Sequence, residues 1–359
     1  MLISLKVVVI LSYFILYVGY YSCLYCKDEN NKKVDWFILY KLPKISSDAD
    51  IRHLEEGEAY AYITSRNAKE WKLSSKSISS DKSMLGQTWR QLKKKEKTAT
   101  YLFYNDDPPK GYKGTASGHL KGFLAFGDHS GYWVMHTIPK FGLIKRYEYP
   151  KNAFKFGQCA ICVHFNVSEL NKICKHLLFT NPKIHLKQIS DKMSSKLDKY
   201  SKSLFEKKPK FVRSGNLTNK SELKSAGYHV FISFAKASKC KKDLYGDIIA
   251  PGIKSSLLVE TWRRGKNMNE TCRTKYTVND IVAINMTVKD GRRKKMIDFQ
   301  SFEDHSKWAI STRNKMKWIC ITDMNRMVSQ QKRGGGALCF QSSKVWSAFN
   351  NIIAETGEC

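Results

Sequence analysis

Two short strings constrain this chain more than anything else in it: Gly118-His119-Leu120-Lys121 and Asp304-His305-Ser306-Lys307, about half a chain length apart in 359 residues. In an extended strand, alternate side chains share a face, so a His and a Lys at i and i+2 project together. A fold that uses both strings must bring two halves of the chain face to face. Two imidazoles and two ammonium ions then meet at one place. That foursome suits phosphodiester cleavage: one histidine attacks phosphorus, the other protonates the leaving oxygen, and the lysines hold the phosphate oxygens. A single His-x-Lys is commonplace in a lysine-rich chain. Its recurrence in similar strand contexts is what points to chemistry.

The charge balance agrees with a phosphate-rich partner. Lys and Arg number 62 against 32 acidic residues, a formal net charge of +30. Such a surface attracts polyanions. A lysine beside each histidine repels a divalent cation, and Asp106, Asp107, Asp128, Glu303, Asp304 and Asp323 lack the dense spacing of a metal loop. The expectation is chemistry with no metal and no cofactor. Asp304 or Asp323 is placed to orient an imidazole, and His136 lies on a strand beside the first motif. Arg333-Gly334-Gly335-Gly336 reads equally as a phosphate contact or a tight turn. No G-x-S-x-G elbow is present, which removes the usual serine hydrolase. His53, His164, His176, His185 and His229 stand in no repeated context.

Lys6, the apolar run Val7 to Val18, and the small residues Gly19 and Ser22 read as a signal peptide over 1–22, with no membrane segment after cleavage. Ten cysteines in an exported chain favour disulfides, so the C-x-x-C pairs Cys23/Cys26 and Cys159/Cys162 suggest cross-links rather than zinc. Sequons at Asn166, Asn216, Asn219, Asn269 and Asn285 fit the same route.

Strand-like runs dominate: Val34 to Pro43, Tyr101 to Tyr104, His119 to Phe126 with its hairpin partner Gly131 to Pro139, and Phe156 to Phe165. After a Lys- and Ser-rich stretch they resume at Gly227 to Phe234, Leu257 to Trp262, Lys307 to Ile310 and Trp318 to Ile321. Ser190 to Phe205 and Ser343 to Ala354 show helical spacing. The expected fold class is mixed α/β (α+β): a half over 23–190, a connecting segment over 191–226 and a second half over 227–359.

Taken together, Val34-Asp35-Trp36-Phe37, Gly118-His119-Leu120-Lys121-Gly122, Trp133-Val134-Met135-His136-Thr137-Ile138-Pro139, Glu303-Asp304-His305-Ser306-Lys307-Trp308 and Asp323-Met324-Asn325-Arg326 resemble the deoxyribonuclease II family, distant kin of the phospholipase D superfamily. The resemblance implies two phospholipase D-like halves, each a sheet flanked by helices, in a pseudo-two-fold arrangement. It implies cleavage of double-stranded DNA at acidic pH without metal, through a phosphohistidine, leaving 3′-phosphates. His119, Lys121, His305 and Lys307 become the catalytic set, with His119 the preferred nucleophile; His136, Asp304, Asp323, Asn325 and Arg333 support it. Matching cysteines imply Cys26–Cys162, Cys272–Cys359 and Cys320–Cys339, and Cys23–Cys159 is an additional candidate bridge. A secreted or lysosomal location follows, and a homodimer stays open. The competing readings are a secreted, catalytically inactive binder of DNA or other polyanions, and a phospholipase D-type lipid hydrolase.

Overall fold

The computed structural model describes residues 23–46, 50–111, 116–272, 274–312 and 316–358. The expected signal peptide and Cys359 lie outside them.

Five strands carry the framework of the first half: β1 (Trp36–Lys41), β2 (Thr100–Asn105), β3 (Lys121–Phe126), β4 (Ser130–His136) and β5 (Gln158–Asn166). Their pairings give the order β1-β5-β4-β3-β2, antiparallel throughout. A hairpin of Tyr60–Thr64 and Asn67–Leu73 extends the β1 edge, and Ile184–Gln188 closes the β2 edge. The second half repeats the plan with β6 (Val230–Lys236), β7 (Leu257–Glu260), β8 (Trp308–Ser311), β9 (Trp318–Thr322) and β10 (Gly335–Gln341). The order is β6-β10-β9-β8-β7, again all antiparallel. First, last, fourth, third and second strand lie side by side in both. A parallel partner of β7, Val278–Asp290, runs on into a long hairpin with Arg293–Gln300.

The residues explain why the strands sit where they do. All six residues of β1 are buried, so Trp-Phe-Ile-Leu-Tyr-Lys shows no alternation. One face of β1 contributes Trp36, Ile38 and Tyr40 to a core shared by both halves, where they meet Trp308, Ile310, Leu338 and Phe340. Trp36 and Phe340 pack with ring centroids 5.5 Å apart across the junction. Phe37 and Leu39 face the other way, under helix α1 (Met84–Lys94), which contributes Met84, Leu85, Trp89 and Leu92. Ser83 caps that helix by accepting the N–H of Gly86. Helix α2 (Leu170–Thr180) ends in left-handed Asn181, and the C-terminal α3 (Ser343–Asn350) follows β10.

Several sequence boundaries move. Ser190 to Phe205 forms two short helices, Asp191–Ser194 and Lys199–Ser203, because the Leu197-Asp198 junction restarts the helix with Asp198 as a cap. Thr218–Lys224, assigned to the connecting segment, is an edge strand on β6. The terminal helix stops at Asn350, and Ile353–Thr356 returns as a strand.

Two expected disulfides are present: Cys26–Cys162 and Cys320–Cys339. Cys272–Cys359 involves a residue outside those described. The Cys23–Cys159 bridge is not formed: both are free thiols, as are Cys174 and Cys240. The reason is strand geometry. Cys159 and Cys162 are three apart on β5 and point to opposite faces, so Cys162 meets Cys26 in the outer core while Cys159 sits in the shared core. Cys23 bridges to Ser130 at the outer side.

Candidate active site

The site lies where β3 and β8 begin. Lys121 opens β3, paired with Asn105 on one side and His136 on the other, and His119 stands two residues before it. Lys307 immediately precedes β8, and its carbonyl accepts the N–H of Thr322. Each motif is anchored on the opposite half. The His119 N–H donates to the Gly334 carbonyl at 2.8 Å, and the His305 N–H donates to the Gly157 carbonyl at 2.9 Å. Gly157 and Gly334 are the residues just before β5 and β10. A Cβ at Gly157 would lie 2.3 Å from Asp304 Oδ1, and one at Gly334 2.2 Å from the Thr180 carbonyl oxygen, so only glycine allows these approaches.

Around the first motif, buried Asp106 is the hub. Its Oδ1 accepts Lys121 Nζ at 2.5 Å, its Oδ2 accepts Arg333 Nη2 at 3.0 Å, and His119 Nε2 stands 4.0 Å away. Burial raises the Asp106 carboxyl, but Lys121, His119 and Arg333 overcome it and hold the group below the ordinary carboxylate range. The Nδ1 of His119 lies 2.7 Å from Gln330 Oε1. An amide oxygen only accepts, so Nδ1 carries the proton and the neutral ring has its lone pair on Nε2. Burial lowers the His119 pKa well below the usual histidine value; Asp106 opposes this, and Lys121, Lys307 and Arg333 reinforce it. His119 still exposes 13% of its side chain, enough to be reached.

The second motif is built differently. The His305 ring stacks on Phe156 (centroids 4.3 Å apart, planes 10° apart) and meets Trp262 at 4.3 Å. Lys307 is buried and donates from Nζ to the His305 carbonyl at 3.1 Å. Burial and the neighbouring Lys121 lower its pKa to about 8, with Cys159, Asp106 and Asp323 opposing. Lys121 and Lys307 both act on His119, and Lys121 acts on Lys307, so the three side chains share one electrostatic neighbourhood although they come from opposite halves.

The supporting residues separate into different roles. Asp304 is buried, with its carboxylate accepting from the Tyr40 hydroxyl, the Ser306 hydroxyl at 2.5 Å and the Ser306 N–H at 2.8 Å. It braces the Asp304–Ser306 turn against β1. Asp323 accepts the Gly336 N–H at 3.1 Å, and burial raises its pKa to about 8 against the pull of Lys307 and Lys121. His136 accepts the Ile138 N–H at 3.1 Å and packs beside Phe123 and Phe141, directly across from Lys121 on the neighbouring strand, and burial and the Lys121 charge lower its pKa well below the usual histidine value. Asn325 is buried, 3.7 Å from Met327 Sδ through Nδ2. Arg333 spans the halves, donating to the Ser117 carbonyl at 3.0 Å, the Gly118 carbonyl at 2.9 Å and Asp106.

The glycine run after Arg333 therefore serves the backbone, presenting a carbonyl to His119 and an N–H to Asp323. Sequence reasoning missed Gln330 and gave Asp106 no role in the site. Asp106 follows a strand and precedes a turn-rich string, which marks it only as a turn carboxylate. Gln330 carries no spacing signal at all. Among the described residues, no group of three or more His, Cys, Asp or Glu is gathered so as to hold a metal, and no helix is long and apolar enough to cross a membrane.

The comparisons with known proteins converge. The chain is 34% identical over 352 residues to plancitoxin-1 of Acanthaster planci, covering 95% of this chain and 94% of that protein. It is 30% identical over 366 residues to deoxyribonuclease-2 of Caenorhabditis elegans, covering 94% and 95%. It is 31% identical over 362 residues to deoxyribonuclease-2-beta of Homo sapiens, covering 97% and 96%. The family model described as Deoxyribonuclease II matches residues 25–359, and the chain belongs to that family.

Proposed function

We propose that this chain is a metal-independent endonuclease that hydrolyses double-stranded DNA with the His119/Lys121 and His305/Lys307 pairs. The observation that carries the reading is the 2.7 Å contact of His119 Nδ1 with Gln330 Oε1, an acceptor that favours the tautomer with Nε2 free as a neutral nucleophile, within reach of the Lys121 charge. In the first step the Nε2 lone pair attacks phosphorus, the P–O5′ bond breaks, and the leaving oxygen takes a proton from His305. Lys121 and Lys307 stabilise the charge on the non-bridging oxygens. Water then attacks the phosphohistidine, giving its proton to His305, and a 3′-phosphate leaves as His119 Nε2 regains its lone pair. In this reading two ammonium groups and the Arg333 guanidinium supply the charge stabilisation that a metal ion gives in other nucleases.

The repeated strand order supports two phospholipase D-like halves, 23–190 and 227–359, related by a pseudo-two-fold axis with the motifs at its centre. Disulfides and sequons support passage through the secretory route, ending in secretion or in a lysosome. Plasmid cleavage in excess chelator at mildly acidic pH tests the reading. His119→Ala and His305→Ala are each expected to abolish it, and robust cutting by either variant removes the catalytic pair. The net charge of +30 equally suits a polyanion binder that no longer cuts; plasmid retarded in a gel yet intact at every pH would establish that alternative.

A further inference from the structure

Each motif histidine rests on a loop from the opposite half, and each loop is gripped from inside by a buried lysine. Lys41 ends β1 and Lys236 ends β6, the first strands of their halves; both are fully buried. Lys41 Nζ donates to the carbonyls of Phe154 at 2.5 Å and Phe156 at 2.6 Å. Lys236 Nζ donates to the carbonyls of Gln331 at 2.9 Å and Arg333 at 2.5 Å. In both cases the acceptors stand three residues and one residue before the glycine whose carbonyl receives the other half's histidine N–H. Register agrees: Lys41 pairs with Gln158 and Lys236 with Gly335, the residues just after those glycines.

The two loops also supply the side chains that touch the histidine rings. Gln330, next to Gln331, takes Nδ1 of His119, and Phe156 stacks on His305. Burying an ammonium group costs free energy unless it is fully bonded. A loop that needed only packing would be served by an apolar side chain. Two N–H donations per lysine instead fix the carbonyl directions, which packing does not do.

We propose that Lys41 and Lys236 are crossed positioning residues: Lys41, in the first half, aligns His305 of the second, and Lys236, in the second half, aligns His119 of the first. This rests on the catalytic reading above, with His119 as nucleophile and His305 as acid. It predicts that the two lysines govern different steps. Loss of Lys41 impairs leaving-group protonation, whereas loss of Lys236 impairs attack.

The test compares the single-turnover rate of the first step, with enzyme in excess, on a duplex oligonucleotide and on thymidine 3′-(4-nitrophenyl phosphate), whose leaving group needs no proton. Lys41→Met is expected to slow oligonucleotide cleavage about 100-fold, the scale of general acid catalysis, but nitrophenyl ester cleavage by less than about threefold. Lys236→Met should slow both about equally. The ratio of two rates in one preparation is independent of the fraction folded; if the Met variants are insoluble, Lys41→Ser and Lys236→Ser, too short to reach those carbonyls, are read the same way. An unchanged ratio in the Lys41 variant, or full activity in either variant, overturns the proposal. His305→Ala must itself favour the nitrophenyl ester and His119→Ala must cut neither substrate. Failure of those controls overturns the catalytic reading beneath, and the lysine assignment with it.

Discussion

Nδ1 of His119 and Oε1 of Gln330 lie 2.7 Å apart, although 211 residues separate them in sequence. This contact selects the imidazole tautomer, because an acceptor at Nδ1 leaves Nε2 unprotonated in the neutral ring. Gln330→Leu removes the acceptor and leaves the tautomer unspecified. The expected result is a fall in kcat of about 10- to 100-fold, the usual scale for losing an orienting partner, with KM for DNA little changed. Steady-state kinetics on a labelled duplex decides it, and a change confined to KM would count against the tautomer role.

The pH dependence of DNA binding follows from Lys307 and Asp323, both shifted to about 8 by burial, which outweighs the opposing pull of each on the other. Below that value Lys307 is charged and Asp323 neutral, so the phosphate clamp is complete. As pH rises through it, Lys307 loses its charge and Asp323 gains one, and both changes repel phosphate. Affinity of a His119→Ala variant for duplex DNA is expected to drop steeply above pH 8. In the additional presence of Asp323→Asn the drop should be shallower. Fluorescence anisotropy at constant ionic strength measures both, and a flat profile from pH 7 to about pH 9 would contradict the assignment.

Asp106 holds together groups from both halves. Asp106→Asn leaves Lys121 and Arg333 without their shared counter-charge in a buried setting, a loss expected to cost about 3 kcal/mol. The folded-state pKa of Asp106 is depressed, so its stabilising contribution is fully present above the unfolded-state value and is lost as pH falls through the folded-state one. The parent should therefore keep its stability in mild acid. The variant's deficit, read by urea unfolding, should be largest near neutral pH and shrink towards strong acid.

The Cys26–Cys162 disulfide closes a segment of 136 residues and ties the chain start to β5. Replacing both by serine is expected to cost about 5 kcal/mol from chain entropy. Cys23→Ser should change stability by less than about 0.5 kcal/mol, as for an ordinary surface substitution. Thermal melts with and without reductant separate the two, and a large effect of Cys23→Ser would revive a bridge to that residue.

What was legible in the sequence was periodicity and local chemistry. Trp36 to Lys41, Lys121 to Phe126 and Ser130 to His136 are strands because aromatic and branched residues bounded by Pro and Gly have few other uses. The hairpin Val278–Asp290 with Arg293–Gln300 was harder to see, since its outer residues are charged and mask the alternation. Helix α1 escaped for a similar reason: its buried Met84, Leu85, Trp89 and Leu92 sit among polar residues.

By itself the sequence determined that two His-x-Lys pairs exist, that each opens or precedes a strand, and that the chain is strongly basic, because these are properties of residue type and short-range spacing. Only the tertiary structure decided that Gln330 faces His119, that Asp106 joins Lys121 to Arg333, that Cys159 turns away from Cys23, and that each histidine leans on a glycine of the opposite half. Those relations depend on which strand ends meet when two sheets close over a common core. No local pattern encodes that closure; it is set by the summed packing of residues hundreds of positions apart.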